Sequence, residues 1–193
     1  IAARATPIVQ RPVRSYTTPA HICIALPYVF NPAATPLSLL ETRVLGVLIE
    51  KEATTPDNYP LTLNALLSGC NQKSARDPVI NASESEVQMT LDSLRHHSLV
   101  IESAGGRVTR YEHNAGRVLK LSQPFLALLA VLMLRGPQTP GELRINGERI
   151  YRFSDISALE VHVEELETRV AGVLVQKLPK QPGSREHRYA HLL

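Results

Sequence analysis

The chain has 193 residues, of which 44% are hydrophobic and 20% are charged. That length fits one large or two small domains, and that composition excludes a disordered, collagen-like or coiled-coil protein over most of the chain. The longest apolar run, residues 125–134, is about half as long as a bilayer-spanning helix requires. With only two cysteines, the sequence predicts a soluble, cytoplasmic protein without a membrane segment or a disulfide framework.

The net charge of +3 is unevenly distributed along the chain. Arg4, Arg11 and Arg14 lie in the first 40 residues, which contain no acid, so the remaining residues carry equal numbers of basic and acidic side chains. Attraction to phosphate must therefore come from local patches, because the globular part has no overall positive field.

Residues 1–36 differ from the rest of the chain. They hold six of the 14 prolines, no glycine and no hydrophobic periodicity, which predicts an extended or disordered tail. The acid-free stretch around Arg14 is also typical of a transit peptide. Because the chain begins with Ile1 rather than Met, the alternative interpretation is a fragment or an upstream extension.

Two helices are predicted after this tail. Ser38 and Glu41 form a capping box, and the apolar stripe behind them predicts a helix to about Lys51. Thr55 and Pro56 begin a short turn. The threonine side chain can cap a helix start, and the fixed φ angle of proline suits the first helical position. A second short helix, ending near residue 69, is predicted from an apolar set: Leu61, Leu63, Leu66 and Leu67.

A third helix starts at a second capping box, Ser83 and Glu86, and the pattern then changes from helix to strand. Residues 99–101 and 108–112 flank the pair Gly105-Gly106, which predicts a β-hairpin. Three helices followed by a hairpin is the order of a winged helix-turn-helix domain. That fold serves both nucleic-acid and protein recognition.

The pattern recurs later in the chain. A shift of 84 positions places Ser38 on Ser122 and Thr55-Pro56 on Thr139-Pro140, and a shift of 78 places Tyr111 on Tyr189. The changes in shift predict about 12 extra residues between the second and third helices of the first copy. We therefore expect an α+β fold with two tandem winged-helix domains, residues 37–114 and 122–193, joined by a linker at 115–121.

Several motifs, in order, resemble the YceH family of bacterial proteins. The resemblance covers about residues 37–193 and rests on residues 54–61 (TTPDNYPL), 70–73 (CNQK), 76–79 (RDPV), 83–87 (SESEV), 135–143 (RGPQTPGEL), 151–155 (YRFSD) and 188–192 (RYAHL). It implies a tandem winged-helix fold in a bacterial cytoplasmic protein, and it implies no established activity.

The predicted third helices are acidic, which argues against their insertion into a DNA groove. In most winged helices the third helix contacts base edges through Arg, Lys, Asn and Gln. Here the net charge of each predicted third helix is negative, and that charge would repel phosphate. The acids form either a solvated helix face or a surface that recognises a basic protein partner. The partner-binding candidates are Glu160, Glu164, Glu165 and Glu167.

Positive and amide side chains gather instead in the inserted loop and the two hairpins. They are candidates for contacting nucleic-acid phosphates, and such contacts contribute little to base recognition. For any one of these residues, the alternative is an ordinary charged side chain on the surface. For the loop amides the alternative is bonding to their own backbone. The candidates are Asn71, Gln72, Lys73, Arg76, Arg107, Arg110, Lys177, Lys180, Arg185 and Arg188.

No catalytic constellation stands out in the sequence. Cys70 lacks a local nucleophile signature and is expected to be a small buried residue at a helix end. No set of metal ligands is complete, and the glycine-rich phosphate-binding signatures are absent from the sequence. We therefore expect no enzyme activity, no metal and no cofactor.

Two functions follow as hypotheses. The first is a DNA-binding transcription regulator, expected to be a homodimer, that contacts duplex phosphates through its basic wings and the inserted 70–81 loop. The second is a protein-interaction adaptor that uses the acidic third helices. By fold-level analogy alone, it is comparable to the tandem winged helices of segregation and condensation protein B.

Overall fold

In a computed structural model of the chain, residues 30–103 and 105–193 are described. They form an α+β structure, as the sequence predicts, with seven α-helices, one more than the predicted six, and two small antiparallel sheets. The helices are α1 (Leu39–Thr54), α2 (Leu63–Cys70), α3 (Glu84–His96), α4 (Ala115–Leu119), α5 (Gln123–Arg135), α6 (Pro140–Gly147) and α7 (Ile156–Thr168). The strands are β1 (Leu61–Thr62), β2 (Val100–Ser103), β3 (Arg110–His113), β4 (Val175–Lys177) and β5 (Tyr189–His191).

Both predicted capping boxes are confirmed. The Ser38 hydroxyl accepts from the backbone N–H of Glu41, and the Glu41 carboxylate accepts from the backbone N–H of Ser38 at 2.7 Å. Ser83 and Glu86 make the same reciprocal pair at the start of α3. Side chains therefore satisfy backbone donors that a helix start leaves free.

The second helix begins later than the sequence predicts. The Thr55 hydroxyl donates to the backbone oxygen of Lys51 at the end of α1 and does not cap the short 3₁₀ turn that follows, Pro56–Asn58. Leu61 lies in β1, outside the helix. The cap of α2 is Thr62, whose hydroxyl accepts from the backbone N–H of Ala65.

The two sheets share one arrangement. In the first, β3 lies between β1 and β2, and Leu61 pairs with Tyr111. In the second, β4 pairs with β5, and Gln138 forms a bridge with Tyr189 in the place of the Leu61–Tyr111 pair. We call α1–α3 with β1–β3 the first unit, and α5–α7 with β4 and β5 the second unit.

The structure changes the alignment of the two units at one point. Thr139 caps α6 through the N–H of Glu142, as Thr62 caps α2, so Thr62 rather than Thr55 is its counterpart. The extra residues of the first unit therefore lie in two places, on either side of α2. The sequence predicts all of them after the second helix, and the equivalence of Thr62 and Thr139 corrects that placement.

The two units pack on each other through α1 and α5. Residues 42–49 of α1 and 126–134 of α5 are buried on all sides, and the buried apolar residues form one continuous core. A Cβ at Gly46 would lie 3.0 Å from Cγ of Leu134, so glycine permits the close approach of the two helices. The predicted domains 37–114 and 122–193 thus have separate sheets and a shared core.

The segments outside the two units also contribute to this core. Residues 115–121, predicted as a linker, contain α4, in which Ala115 and Leu119 are buried. Most of the predicted tail lies outside the described residues. Its Phe30 belongs to the core, and the ring centroid of Phe30 is 5.3 Å from that of His97.

Candidate nucleic-acid interface

The inserted loop after α2 is held by a buried arginine. The Arg76 side chain has no exposed surface, and its Nη2 lies 2.6 Å from the Glu50 carboxylate on α1. The same guanidinium donates to the carbonyl oxygens of Gly69 and Ala75. Arg76 therefore anchors the loop and does not present its charge to a ligand.

The two amides of the loop bond to backbone. Asn71 donates to and accepts from the backbone of Ala82, both at 2.8 Å, which closes the loop between α2 and α3. Gln72 donates to the backbone oxygen of Ser74. These contacts favour the loop-holding interpretation that the sequence left open, and Lys73 is the loop candidate that remains exposed.

Arg43, which the sequence analysis did not single out, is a second buried cation at this loop. It is fully buried in α1, and it donates to the carbonyl oxygens of Cys70 and Pro78 at 3.1 and 2.7 Å. Burial lowers the pKa of its guanidinium. Its position beside apolar residues on the inward face of a predicted helix is the signal that sequence reasoning could have used.

Cys70 is buried at the last residue of α2, as expected. Burial raises the pKa of its thiol to about 12, although Arg43 and Arg76 act in the opposite direction. The thiol is therefore protonated at neutral pH, and a protonated thiol is a poor nucleophile.

Equivalent arginines fasten the two hairpins. Arg110 donates from Nη1 to the carbonyl oxygen of Pro60 at 2.7 Å, and Arg188 donates to that of Pro137 at the same distance. Arg188 also lies 2.9 Å from the Glu142 carboxylate at the start of α6. Both candidates therefore tie the last strand of a unit to the segment before its second helix.

The first hairpin is also tied to its third helix. The Arg95 guanidinium on α3 lies 2.6 Å from the Glu102 carboxylate on β2, and the Tyr111 hydroxyl on β3 donates to Gln88 at 3.3 Å. Arg107, near the tip of this hairpin, is exposed.

Three candidate cations of the second hairpin meet in one cleft. Lys177, Lys180 and Arg185 are exposed, and they line a cavity of about 220 Å³ between the hairpin, the start of α6 and the start of α7. We call it the cationic cleft; Gly141, Glu160 and Glu186 also line it. No ion pair joins these cations to these acids within the described residues.

The acids predicted as a partner surface occupy the outer face of α7. Glu160, Glu164 and Glu165 are exposed and Glu167 is partly buried. Val161, between them, exposes 62% of its surface. Glu160 also lines the cationic cleft, so the two sets of candidates adjoin.

Metal-ligand clusters and membrane-spanning helices are absent from the part of the chain that the structure describes. Among residues 30–103 and 105–193, no group of three or more His, Cys, Asp or Glu side chains lies where it could hold one metal ion. No described helix is long and apolar enough to span a lipid bilayer.

Comparison with known proteins identifies the family. Residues 37–184 match the family model described as a protein of unknown function, DUF480. The chain is 55% identical over 167 residues to a UPF0502 protein of Paracidovorax citrulli, covering 85% of this chain and 72% of that protein. It is 57% identical over 157 residues to a UPF0502 protein of Dechloromonas aromatica, covering 81% of this chain and 74% of that protein. The resemblance to YceH-like bacterial proteins is therefore confirmed, and the chain belongs to the DUF480, or UPF0502, family.

Proposed function

We propose that each unit is a winged helix and that the chain binds duplex DNA through the phosphate backbone. Each unit has three helices, a short pairing segment before the second helix and a hairpin after the third. In such a domain the third helix and the wing face the nucleic acid. The cationic cleft lies between these two elements in the second unit.

The convergence of Lys177, Lys180 and Arg185 on one cleft is the observation that carries this proposal. Exposed cations that make no ion pair with the neighbouring acids are available to displace counterions from a phosphate backbone. Arg107 and Lys73 add exposed positive charge in the first unit. Arg76, Arg110 and Arg188 support the fold of the interface and contribute less direct contact.

The outer face of α7 limits how DNA is recognised. Glu160, Glu164 and Glu165 would meet the negative potential of the groove if α7 entered it. Binding through wing cations therefore depends on the backbone more than on base sequence. Regulation of transcription would then require a second source of specificity, such as dimer spacing or a partner protein.

The test is fluorescence anisotropy of a labelled duplex of arbitrary sequence, measured with the full chain over a range of salt concentrations. We expect binding at low ionic strength that weakens as salt rises, because bound phosphates release counterions. Sedimentation in the same buffers tests the proposed homodimer. Absence of any binding at low ionic strength contradicts the proposal.

A second candidate function is a protein adaptor that uses the outer face of α7. The exposed Val161 among Glu160, Glu164 and Glu165 favours it, because an apolar residue within an acidic surface suits a basic amphipathic partner. A partner recovered with wild type should be lost with the double variant Glu164→Lys and Glu165→Lys. It should be retained with the control Asp57→Lys, which changes an exposed acid of the first unit.

A further inference from the structure

The third helices of the two units can be compared residue by residue. Both have 13 residues and share three buried apolar positions at the same spacing, so Gln88 on α3 corresponds to Glu160 on α7, and Arg95 corresponds to Glu167. In the hairpins, Glu102 and Lys177 correspond, because each pairs across its hairpin with the equivalent tyrosine.

Two side-chain contacts between α3 and the first hairpin have no counterpart among the described residues of the second unit. Arg95 and Glu102 form an ion pair at 2.6 Å, whereas the corresponding Glu167 and Lys177, with charges reversed, form none among the described residues. Tyr111 donates to Gln88 at 3.3 Å. The Nζ atom of Lys177 instead lies 5.9 Å from the ring centroid of Tyr189, at the edge of the open cleft.

We infer that the cationic cleft of the second unit is a binding site for one phosphodiester group and that the first unit has no equivalent site. Three exposed cationic side chains that line one cavity repel one another, and an anion bound in the cavity relieves that repulsion. The inference rests on the proposed function, which supplies the phosphodiester as part of duplex DNA. It assigns the direct contact with the DNA backbone to the second unit.

The charge of the cleft selects the class of ligand. Three cationic residues, Lys177, Lys180 and Arg185, and two acidic residues, Glu160 and Glu186, line the cleft, so its lining carries one net positive charge. A phosphodiester carries one negative charge and balances it, whereas a phosphate monoester carries nearly two at neutral pH. The helix dipole at the start of α6 adds a smaller attraction for an anion.

Gly141 offers a selective way to block the cleft. It lies in the first turn of α6 and lines the cleft, and the nearest atom that an added Cβ would meet is Oγ1 of Thr139, at 4.0 Å. A carboxylate near a helix start stabilises the helix. Gly141→Asp should therefore fold while placing a negative charge in the cleft. Asn64→Asp is the matched control, since Asn64 is the exposed residue at the same position of α2.

The experiment is a titration of the full ¹⁵N-labelled chain with dimethyl phosphate, followed by amide NMR at constant ionic strength. We expect saturable shifts at Gly141 and Lys177 in wild type and in Asn64→Asp. We expect affinity lower by about tenfold or more in Gly141→Asp, from a like charge placed within the cleft. Lys177→Ala, which leaves the helix unchanged, should weaken the same shifts.

A titration with duplex DNA separates this inference from the proposed function. Amide shifts at the cleft with both dimethyl phosphate and DNA support the inferred site and the proposed function. Shifts with dimethyl phosphate and none with DNA support the site and contradict DNA binding. DNA binding without shifts at the cleft, or dimethyl phosphate shifts that Gly141→Asp leaves unchanged, overturns the inference.

Discussion

Lys177 and Glu102 occupy equivalent places in the two hairpins, each opposite a tyrosine, and they carry opposite charges. In the first unit the acid holds the hairpin to α3 through Arg95. In the second unit the lysine lines a cleft with two further cations. The two hairpins thus differ in their side-chain contacts to the third helix, and this difference underlies the assignment of the phosphodiester site to the second unit.

Removing the negative charge of Glu160 should strengthen DNA binding. Glu160 lines the cationic cleft, and Glu160→Gln removes its repulsion of phosphate, for an expected gain of roughly two- to fivefold at low salt. Glu164→Gln is the control, since Glu164 is one turn away on the same exposed face. Anisotropy titrations that show the same affinity for both variants would argue against a role for the cleft.

Arg76→Ala should destabilise the fold. It leaves the Glu50 carboxylate, 18% exposed, without its partner, and it frees the carbonyl oxygens of Gly69 and Ala75. Loss of one partner of a buried pair costs about 3–5 kcal/mol. Urea unfolding measures the change, and Lys73→Ala, at an exposed position, should change stability by less than about 0.5 kcal/mol. Equal stability of the two variants would contradict the anchoring role.

His191 should make stability depend on pH. Burial lowers the pKa of its imidazole below the usual 6.5, so the unfolded chain takes up a proton at a higher pH than the folded chain. Stability from this group is complete above pH 6.5 and is lost as pH falls through the lower folded pKa. His191→Phe keeps a ring and removes the buried Nδ1, which lacks a hydrogen-bond partner among the described residues.

Unfolding free energies at pH 7.5 and 5.5 test this prediction. The loss between the two pH values should be smaller in His191→Phe than in wild type, and the difference isolates His191 from the other histidines. An identical loss in the two proteins would show that burial of His191 is not the cause.

Gly46→Leu should weaken both units together. Its side chain would meet Leu134 and Met133 of α5, where a Cβ alone already lies at 3.0 and 3.3 Å, and such overpacking costs about 1–3 kcal/mol. Since the core is continuous, we expect one cooperative transition at a lower urea concentration. Gly105→Ala, with open space around the new Cβ, is the control. Two separate transitions would contradict a shared core.

The local elements could be predicted from the sequence, and the buried charges could not. Capping boxes are short-range patterns, so Ser38 and Ser83 mark their helices correctly. The apolar spacing around Leu61 predicts a helix, but pairing with Tyr111, which is distant in the sequence, places Leu61 in a strand. Arg76 and Asn71 look like surface ligands in the sequence, since their partners Glu50 and Ala82 are distant along it.

The convergence of the cleft residues also depends on tertiary structure. The basic character of the second hairpin is visible in the sequence, but the contribution of Gly141 and Glu160 to the same cavity is set by how α6 and α7 pack against it. The sequence alone does not show that Glu102 and Lys177 are equivalent residues of opposite charge, because their equivalence follows from the strand pairing.

The most direct test of the account is the salt dependence of duplex binding by wild type and by the triple variant Lys177→Ala, Lys180→Ala and Arg185→Ala. Each lost phosphate contact reduces the slope of log affinity against log salt by about 1, so we expect a reduction of up to about three with the fold intact. A control variant, Arg117→Ala at an exposed position of α4, should leave the slope unchanged. An equal slope for wild type and the triple variant would contradict the assignment of DNA binding to the cationic cleft.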